Sequence, residues 1–570
     1  MKAVIMAGGE GTRLRPLTTT RPKPMVPVVN RPILEHVINL LKENGIDEVV
    51  ITLQYIPEAV KNYFSDGSQL GMKITYSVEE KPLGTAGSVK KVEKNFKDIF
   101  LVISGDIITD IKLKDAVKFH KKHGAAATIV LTRVLNPIEY GIVITDNDGK
   151  IEKFLEKPSW GEVFSDTINA GIYILEPEVL KYIKPDEPFD FGKQLFPLLL
   201  KEKEPLYGYV AEGYWCDIGN PQQYAEANRD ALSGKLRVKI PGKQIGDKVW
   251  IGEKTALEKG VEISGPVLIG DNCRIRTGAR ISESIIGNNT TVDTNTSVKR
   301  SVVWHNNFIS SSADLAGCII CERCEVKSGA TILENTIVGD DCSIGQGSVI
   351  RPMVKIWPNK MIEAGSIVSV DVRWGIRWLK NLFGSWGITA LANIEVTPEF
   401  SSKLGAAFGS YLPKGAKVVV SRDTHNISRM VKRALISGLN SVGTNVFNLR
   451  VAPTPLTRFS VKNFGANAGI SVKISHVDPN SVNIQFFDEN GINIDKRSEK
   501  KIEELFFKED FRRVYVDEIG EIVYPQYTPD DYIDSILKFV NKESIKNAKM
   551  SVVVDCNNGS ASAIAPAIFH

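Results

Sequence analysis

Apolar positions along the chain follow three rhythms, and each predicts a different architecture. At the start, Ala3, Val4, Ile5 and Met6 form a continuous apolar run of the length of a strand buried on both faces. Ile33, Leu34, Val37, Ile38, Leu40 and Leu41 then recur at helical spacing, with Pro32 suited to the first helical position and Asn44-Gly45 to the end. Glu48 to Leu53 returns to strand character. This order predicts a right-handed βαβ unit of Rossmann-like α/β type whose ligands gather at the carboxyl ends of the strands. Residues 100–103 read as a further strand.

The second rhythm has a period of six. Ile245, Ile251, Leu257, Ile263, Ile269, Ile275 and Ile281 keep it, and after a few five-residue slips it resumes at Val326, Ile332, Val338, Ile344, Ile350, Ile356, Ile362 and Val368. Glycine often follows, as at 246, 252, 270, 339 and 345. A strict hexapeptide period predicts a left-handed parallel β-helix over 240–372.

The third rhythm is again α/β. Residues 418–420 and 444–449 read as strands around a helix over 429–439, and 551–555 as another strand before a turn at 557–559 and a helix from Ser560. Residues 374–383 read as a short linking helix. The expected division is therefore 1–232, 240–372, a linker helix at 373–386, an α/β domain at 387–545 and the opening of a second at 546–570. That last domain opens and is not closed at His570, so a continuation of the protein is expected.

Composition agrees with several ordinary globular domains: 570 residues, 43% apolar and 24% charged, exceed what one core accommodates. A net charge of +4 is too small and too dispersed to point to nucleic acid or an anionic membrane. No apolar stretch reaches spanning length and no leader precedes the first strand, so a cytoplasmic protein is expected. Seven cysteines, odd in number and scattered, suit reduced thiols. Cys318, Cys321 and Cys324 form CxxCxxC, with Cys342 available as a fourth metal ligand. The repeat supplies the preferred reading. Cys273, Cys318, Cys324 and Cys342 each stand two residues before a repeat aliphatic, where a small inward side chain is needed.

Candidate chemistry concentrates in residues 3–25, AVIMAGGEGTRLRPLTTTRPKPM. Gly8, Gly9 and Gly11 let backbone N–H groups approach a polyphosphate, and Arg13 and Lys23 supply fixed positive charge. The letters match neither a Walker A loop nor the dinucleotide fingerprint. Asp106 ends the strand at 100–103 and Asp217 lies in a similar setting in WCDIG; with phosphate oxygens and water, the pair makes a Mg²⁺ site.

The stretch GGEGTRLRPLTTTRPKPMVPV resembles the signature of sugar-1-phosphate nucleotidylyltransferases, the mannose-1-phosphate guanylyltransferases above all. The resemblance implies in-line attack by a sugar-1-phosphate oxygen on the α-phosphorus of a nucleoside triphosphate, with GTP and mannose-1-phosphate the expected substrates. Arg13 and Lys23 are then catalytic, Gly8, Gly9, Gly11, Thr12, Gly84 and Thr85 bind nucleotide, and Asp106 and Asp217 hold Mg²⁺. In EEKPLGTAGS, Gly84 and Gly87 face the base and ribose ahead of a helix starting at Ser88. Gly141, Glu156 and Asn169 meet the sugar, and Lys157 its phosphate. Alternatives are uridylyl or thymidylyl transfer to glucose-1-phosphate, or a regulatory or scaffolding subunit that binds nucleotide sugar without catalysis. The metal carboxylates argue against the last. Hexapeptide β-helices also serve acyltransferases, but His305 is the sole histidine in this repeat and no long inserted loop accompanies it. Homo-oligomerisation or allosteric control is the use expected of the β-helix.

Ser421-Arg422-Asp423-Thr424-His425, Ser428-Arg429-Met430 and Ala452-Pro453-Thr454-Pro455 resemble the first domain of α-D-phosphohexomutases such as phosphomannomutase. In that family a serine within Thr-Ala-Ser-His-Asn-Pro carries the phosphoryl group. Here the stretch reads Lys473-Ile474-Ser475-His476-Val477-Asp478-Pro479. Ser475 and His476 are kept, but a residue is added and the asparagine lost, and Thr389-Ala390 replaces the family's Arg-Gly. A degenerate mutase serine, without mutase activity, is expected.

Overall fold

The computed structural model describes residues 1–373, 377–378, 382–525 and 530–569, which form two compact units, Met1–Val372 and Arg373–His570. In the first unit Lys2–Met6 runs inside a nine-stranded sheet, parallel to Glu48–Leu53 on one side and Phe100–Ser104 on the other. Ala3 and Ile5 enter one core with the helix Ile33–Glu43, and Val4 enters the opposite core. Burial on both faces is why this strand carries no polar side chain after Lys2. Pro32 stands just before the helix in an extended conformation, and Asn44 with Gly45 (φ +83) ends it. Past Phe100–Ser104 the sheet turns antiparallel through Thr167–Leu175 and Ala127–Arg133. A separate ribbon pairs Ile107–Thr109 with Trp215–Asp217.

The hexapeptide region of the same unit is a parallel β-helix with one sheet per face. Successive coils pair 18 residues apart, as at Val249↔Val267, Ala256↔Arg274 and Glu262↔Arg280. The five-residue slips shorten a coil to 17 residues without disturbing the inward file, so Ile275, Val292, Ile309 and Val326 stack fully buried. Ile245 and Leu257 in the first coil stay exposed because only one coil covers them. The glycines after the aliphatics answer a steric need: a Cβ on Gly345 would lie 2.5 Å from the Ala364 nitrogen of the next coil. The cysteine slot is likewise internal. The thiols of Cys273, Cys324 and Cys342 each lie 3.1 Å from the carbonyl oxygen of Gly287, Gly339 and Trp357 respectively. Cys318 is buried beside the Ser301 hydroxyl. These are free thiols packed as small side chains, as the repeat phase predicts.

The second unit holds a six-stranded sheet in the order Ile388–Leu391, Ser481–Phe487, Ala468–Ile474, Lys417–Arg422, Asn445–Val451 and Ile522–Val523. The helix expected at 429–439 spans Asn426–Asn440, beginning earlier because His425 caps it by accepting the Ile427 N–H. Residues 551–555 form no strand: Val552, Val553 and Val554 are exposed and lack a pairing partner among the described residues. An apolar run becomes a strand only where an edge receives it. Of the linker helix expected at 373–386, residues 374–376 and 379–381 lie outside those described. Arg377–Trp378 is extended, and Gly384 and Gly387 form a bridge. No helix among the described residues is long and apolar enough to cross a membrane.

Candidate active site

After Met6 the chain passes the glycines and winds through two short 3-10 turns, Thr12–Leu14 and Lys23–Met25. Gly11 alone among the three glycines takes a left-handed conformation (φ +65), and a Cβ on it would stand 2.9 Å from Lys23 Cβ. Glycine at 11 thus makes room for a lysine as well as keeping the loop open. Gly9 faces empty space, and Gly8 lies against Gln54. Thr12 begins the first turn.

Lys23 is buried, and its Nζ donates to Asp106 Oδ2 at 2.7 Å and Asp217 Oδ1 at 2.9 Å. The ribbon makes this meeting possible because it pairs Asp217 with Ile107, the residue after Asp106. The Ser104 hydroxyl donates to the other Asp106 oxygen at 2.6 Å. Burial opposes every charge here, yet the two carboxylates outweigh it and hold the Lys23 pKa above its ordinary value. Against the same burial, Lys23 holds Asp106 below the usual carboxylate range, whereas burial and the Asp106 charge push Asp217 up. The cluster is one cation between two anions, its carboxylate oxygens converging on a single positive centre. Arg13 is more exposed and donates to Glu139 Oε2 at 3.0 Å.

A second group of residues surrounds Glu156. Gly141 pairs with Glu156 across two strands, and Cβ atoms on Gly141 and Gly192 would lie 2.6 and 2.4 Å from Glu156 Oε2. The carboxylate is therefore wedged against glycine backbones; burial, then the nearby Asp190, raises its pKa. Lys157 adopts φ +49, its N–H bonded to the Tyr140 carbonyl. Asn169 accepts the Gly171 N–H through Oδ1 and donates through Nδ2 to the buried Tyr173 hydroxyl. Gly84 opens the helix Gly84–Lys90, four residues earlier than the expected start at Ser88. The reason is the 189–191 segment. A Cβ on Gly84 would meet the Phe189 carbonyl oxygen at 2.7 Å, and that oxygen accepts the N–H groups of Ala86 and Gly87. The close approach at these glycines is made by protein backbone, and Thr85 donates to Asp190 Oδ2 at 2.9 Å.

Sequence reading gave no role to Glu139, Tyr140, Asp190 and Trp215, which join these groups. Asp190 accepts from Thr85 and from the N–H groups of Gly192 and Lys193, bridging the Gly84 loop to the Glu156 pocket. Trp215 donates to the Ala170 carbonyl at 2.8 Å and packs its ring edge-on to Tyr140, tying the aspartate ribbon to the Asn169 strand. Asp190 had a signal, a capping residue before an apolar helical run; the others had none without the fold. In the β-helix, burial lowers the pKa of His305, whose Nδ1 accepts the Asn288 N–H at 2.8 Å. Ser475 belongs to the second unit. It is nearly buried, and its Oγ accepts the N–H groups of Val477 and Asp478.

Comparison with known proteins accounts for most of the chain. Residues 2–234 match the nucleotidyl transferase family, residues 246–350 the EIF2B subunit epsilon LbH domain, and residues 380–513 the phosphoglucomutase/phosphomannomutase alpha/beta/alpha domain I. A UTP–glucose-1-phosphate uridylyltransferase of Synechocystis sp. is 39% identical over 320 residues, covering 50% of this chain and 82% of the relative. Mannose-1-phosphate guanylyltransferase 1 of Arabidopsis thaliana is 39% identical over 296 residues, 50% of this chain and 81% of the relative. Probable mannose-1-phosphate guanylyltransferase 3 of Oryza sativa is 35% identical over 372 residues, 62% of this chain and 97% of the relative.

Proposed function

The chain belongs to the nucleotidyl transferase family, and on that premise we propose that it transfers a nucleotidyl group from GTP to mannose-1-phosphate, giving GDP-mannose and pyrophosphate. The observation that carries the reading is the meeting of Lys23, Asp106 and Asp217 at the end of the phosphate loop. A phosphate oxygen of the sugar-1-phosphate forms a bond to the α-phosphorus while the bond from that phosphorus to the bridging oxygen breaks, and the electron pair leaves with pyrophosphate. No protein nucleophile is required. Arg13 and Lys23 spread the negative charge that builds on the α-phosphoryl oxygens, and the backbone of the Gly8–Gly11 loop positions the triphosphate. Glu156 and Asn169 orient the sugar by its hydroxyls, with Lys157 on its phosphate.

Asp106 and Asp217 fit Mg²⁺, since two carboxylates already converge on one cation and a hard oxygen-seeking ion takes its other ligands from phosphates and water. When bound, the ion supplies further positive charge to the phosphate oxygens. A cytoplasmic setting suits the free thiols, and self-association through the β-helix suits the exposed apolar side chains of its first coil.

The second reading, uridylyl transfer to glucose-1-phosphate, is favoured by the Synechocystis relative. Competition among GTP, UTP, dTTP and ATP with mannose-1-phosphate and glucose-1-phosphate, followed by pyrophosphate release, separates the two. A preference for GTP with mannose-1-phosphate is expected. A clear preference for UTP or dTTP with glucose-1-phosphate replaces the first reading with the second.

A further inference from the structure

Two residues before Lys23, Arg21 leaves the catalytic domain altogether and binds the β-helix. Its Nη1 donates to Glu322 Oε1 at 2.7 Å and its Nη2 to Asp340 Oδ2 at 3.0 Å, and its guanidinium carbon lies 4.7 Å from the centre of the Trp304 ring. All the ionic partners are well covered, the Asp340 side chain being 3% exposed. Thr20 donates its hydroxyl to the same Asp340 oxygen. Asp340 is itself fixed, because its other oxygen accepts the Glu322 N–H at 2.8 Å. A forked cation held by two carboxylates and laid over an aromatic face has one geometry, unlike a lysine at the same place.

The chain beyond Lys23 is anchored as firmly. Tyr224 donates to the Pro27 carbonyl at 2.6 Å and accepts from Trp304 Nε1 at 2.8 Å. Asn228 accepts the Val29 N–H, and Asn30 donates to the Ile286 carbonyl of the β-helix at 2.9 Å. Lys23 thus sits in a span pinned to the β-helix at Thr20, Arg21 and Asn30. Pro22 and Pro24 flank it, their rings restricting the backbone on both sides. A shift at Arg21 has little slack in which to be absorbed before it reaches Lys23.

We propose that Arg21 is a positioning residue for nucleotidylyl transfer: clasped by Glu322 and Asp340, it makes the β-helix the element that holds the Lys23 ammonium between Asp106 and Asp217. The β-helix is then a working part of the active site and not only a surface for assembly. The inference rests on the transfer reading proposed above. Its test uses the full chain carrying Arg21→Lys or, keeping the arginine, Glu322→Gln, with Arg276→Gln as a control that removes a β-helix ion pair to Asp293. Two quantities are read: steady-state pyrophosphate release, and the rate at which an acetylating reagent modifies Lys23, followed by peptide mass spectrometry. Folding is checked by thermal melting, and Glu322→Gln carries the test if Arg21→Lys does not fold. Expected are a fall in kcat of about ten-fold or more with KM values within about two-fold, and Lys23 acetylation several-fold faster, neither change occurring in the control. Either readout unmoved in a folded variant overturns the inference, since the effect must pass through Lys23 and must reach turnover. If the unaltered chain releases no pyrophosphate with any substrate pair, the transfer reading fails by itself, and unchanged Lys23 acetylation in both variants still overturns the clasp.

Discussion

Lys23 and Lys432 are both buried lysines in α/β units, and their surroundings are opposite. Lys23 has two carboxylates within hydrogen-bond distance, which keep it protonated against the cost of burial. Lys432 has a neutral partner, Asn448 Oδ1 at 2.7 Å, and the arginines 422, 433 and 450 around it; burial first, then those like charges, lowers its pKa to about 8. The first arrangement is a centre of one cation between two anions, which leaves negative charge for a further cation. The second leaves positive charge uncompensated by the protein. Similar elements therefore carry different chemistry, and the counter-charges decide which.

The comparison breaks most severely if the carboxylates of the first centre are removed. Asp106→Asn and Asp217→Asn are each expected to lower kcat by two orders of magnitude or more, a loss of about 2.7 kcal/mol of transition-state stabilisation. Either change also leaves Lys23 with one anion where it had two. Thermal melting should show a folded protein in both cases. Near-normal pyrophosphate release by either variant under saturating Mg²⁺ would sink the assignment of these residues to the metal and, with it, the contrast between the two lysines.

How much of this could be read from the residues follows from the range of the interactions. Glu48–Leu53 has the bounds expected, and the helix Ile33–Glu43 begins one residue after Pro32, because local periodicity and a proline–glycine frame decide them. The β-helix was legible from its period, since an inward aliphatic every sixth position marks its coils, and the repeat aliphatics from Ile269 to Val368 are buried while Ile245 and Leu257 of the first coil are not. Motif names the candidate site residues but says nothing of their partners. Nothing local says that Arg13 pairs with Glu139, or that Arg21 reaches Glu322 and Asp340, 301 and 319 residues further on. The glycines at 84 and 87 signalled a close approach without saying that the Phe189 and Glu187 carbonyls make it. At 551–555 a strand pattern without a receiving edge misled for the same reason.

A smaller effect sharpens the comparison from the other side. Lys432→Met removes the uncompensated charge, and Asn448 Oδ1 keeps a donor in the Arg450 N–H at 3.0 Å. The variant is expected to be as stable as the parent at pH 7 or more so. The pH dependence has a definite sign. The folded-state pKa of about 8 lies below the ordinary lysine value of 10.5, so between these values the unfolded chain binds more protons than the folded one, and stability rises with pH. Amide hydrogen exchange of Lys417–Arg422 and Asn445–Val451 should show protection increasing from pH 8 to 10.5 after correction for intrinsic rates. That increase should be smaller in Lys432→Met. Identical slopes would show that Lys432 carries no such penalty.

The smallest expected effect is none, and it concerns Ser475. If the second unit held a working phosphoryl-transfer site, Ser475 Oγ should be free to attack or to carry a phosphoryl group. Instead the residue is 7% exposed and its oxygen accepts two backbone N–H groups from its own loop, Val477 at 3.3 Å and Asp478 at 3.4 Å. Asp478 is in turn bound to the Ser481 hydroxyl and the Asn480 N–H. The loop is thus closed by its own hydrogen bonds, with the serine serving as the acceptor that a turn requires. Lys473, at the foot of the loop, has its pKa lowered by burial and then by Arg458, so it is no better placed to steady a phosphoryl group. Incubation with mannose-6-phosphate, Mg²⁺ and a hexose bisphosphate activator should give no mannose-1-phosphate above that formed by Ser475→Ala. The same substitution should leave nucleotidylyl transfer unchanged. Mannose-1-phosphate formed by the unaltered chain and lost in Ser475→Ala would mean that this loop opens, and that the second unit is a site in its own right.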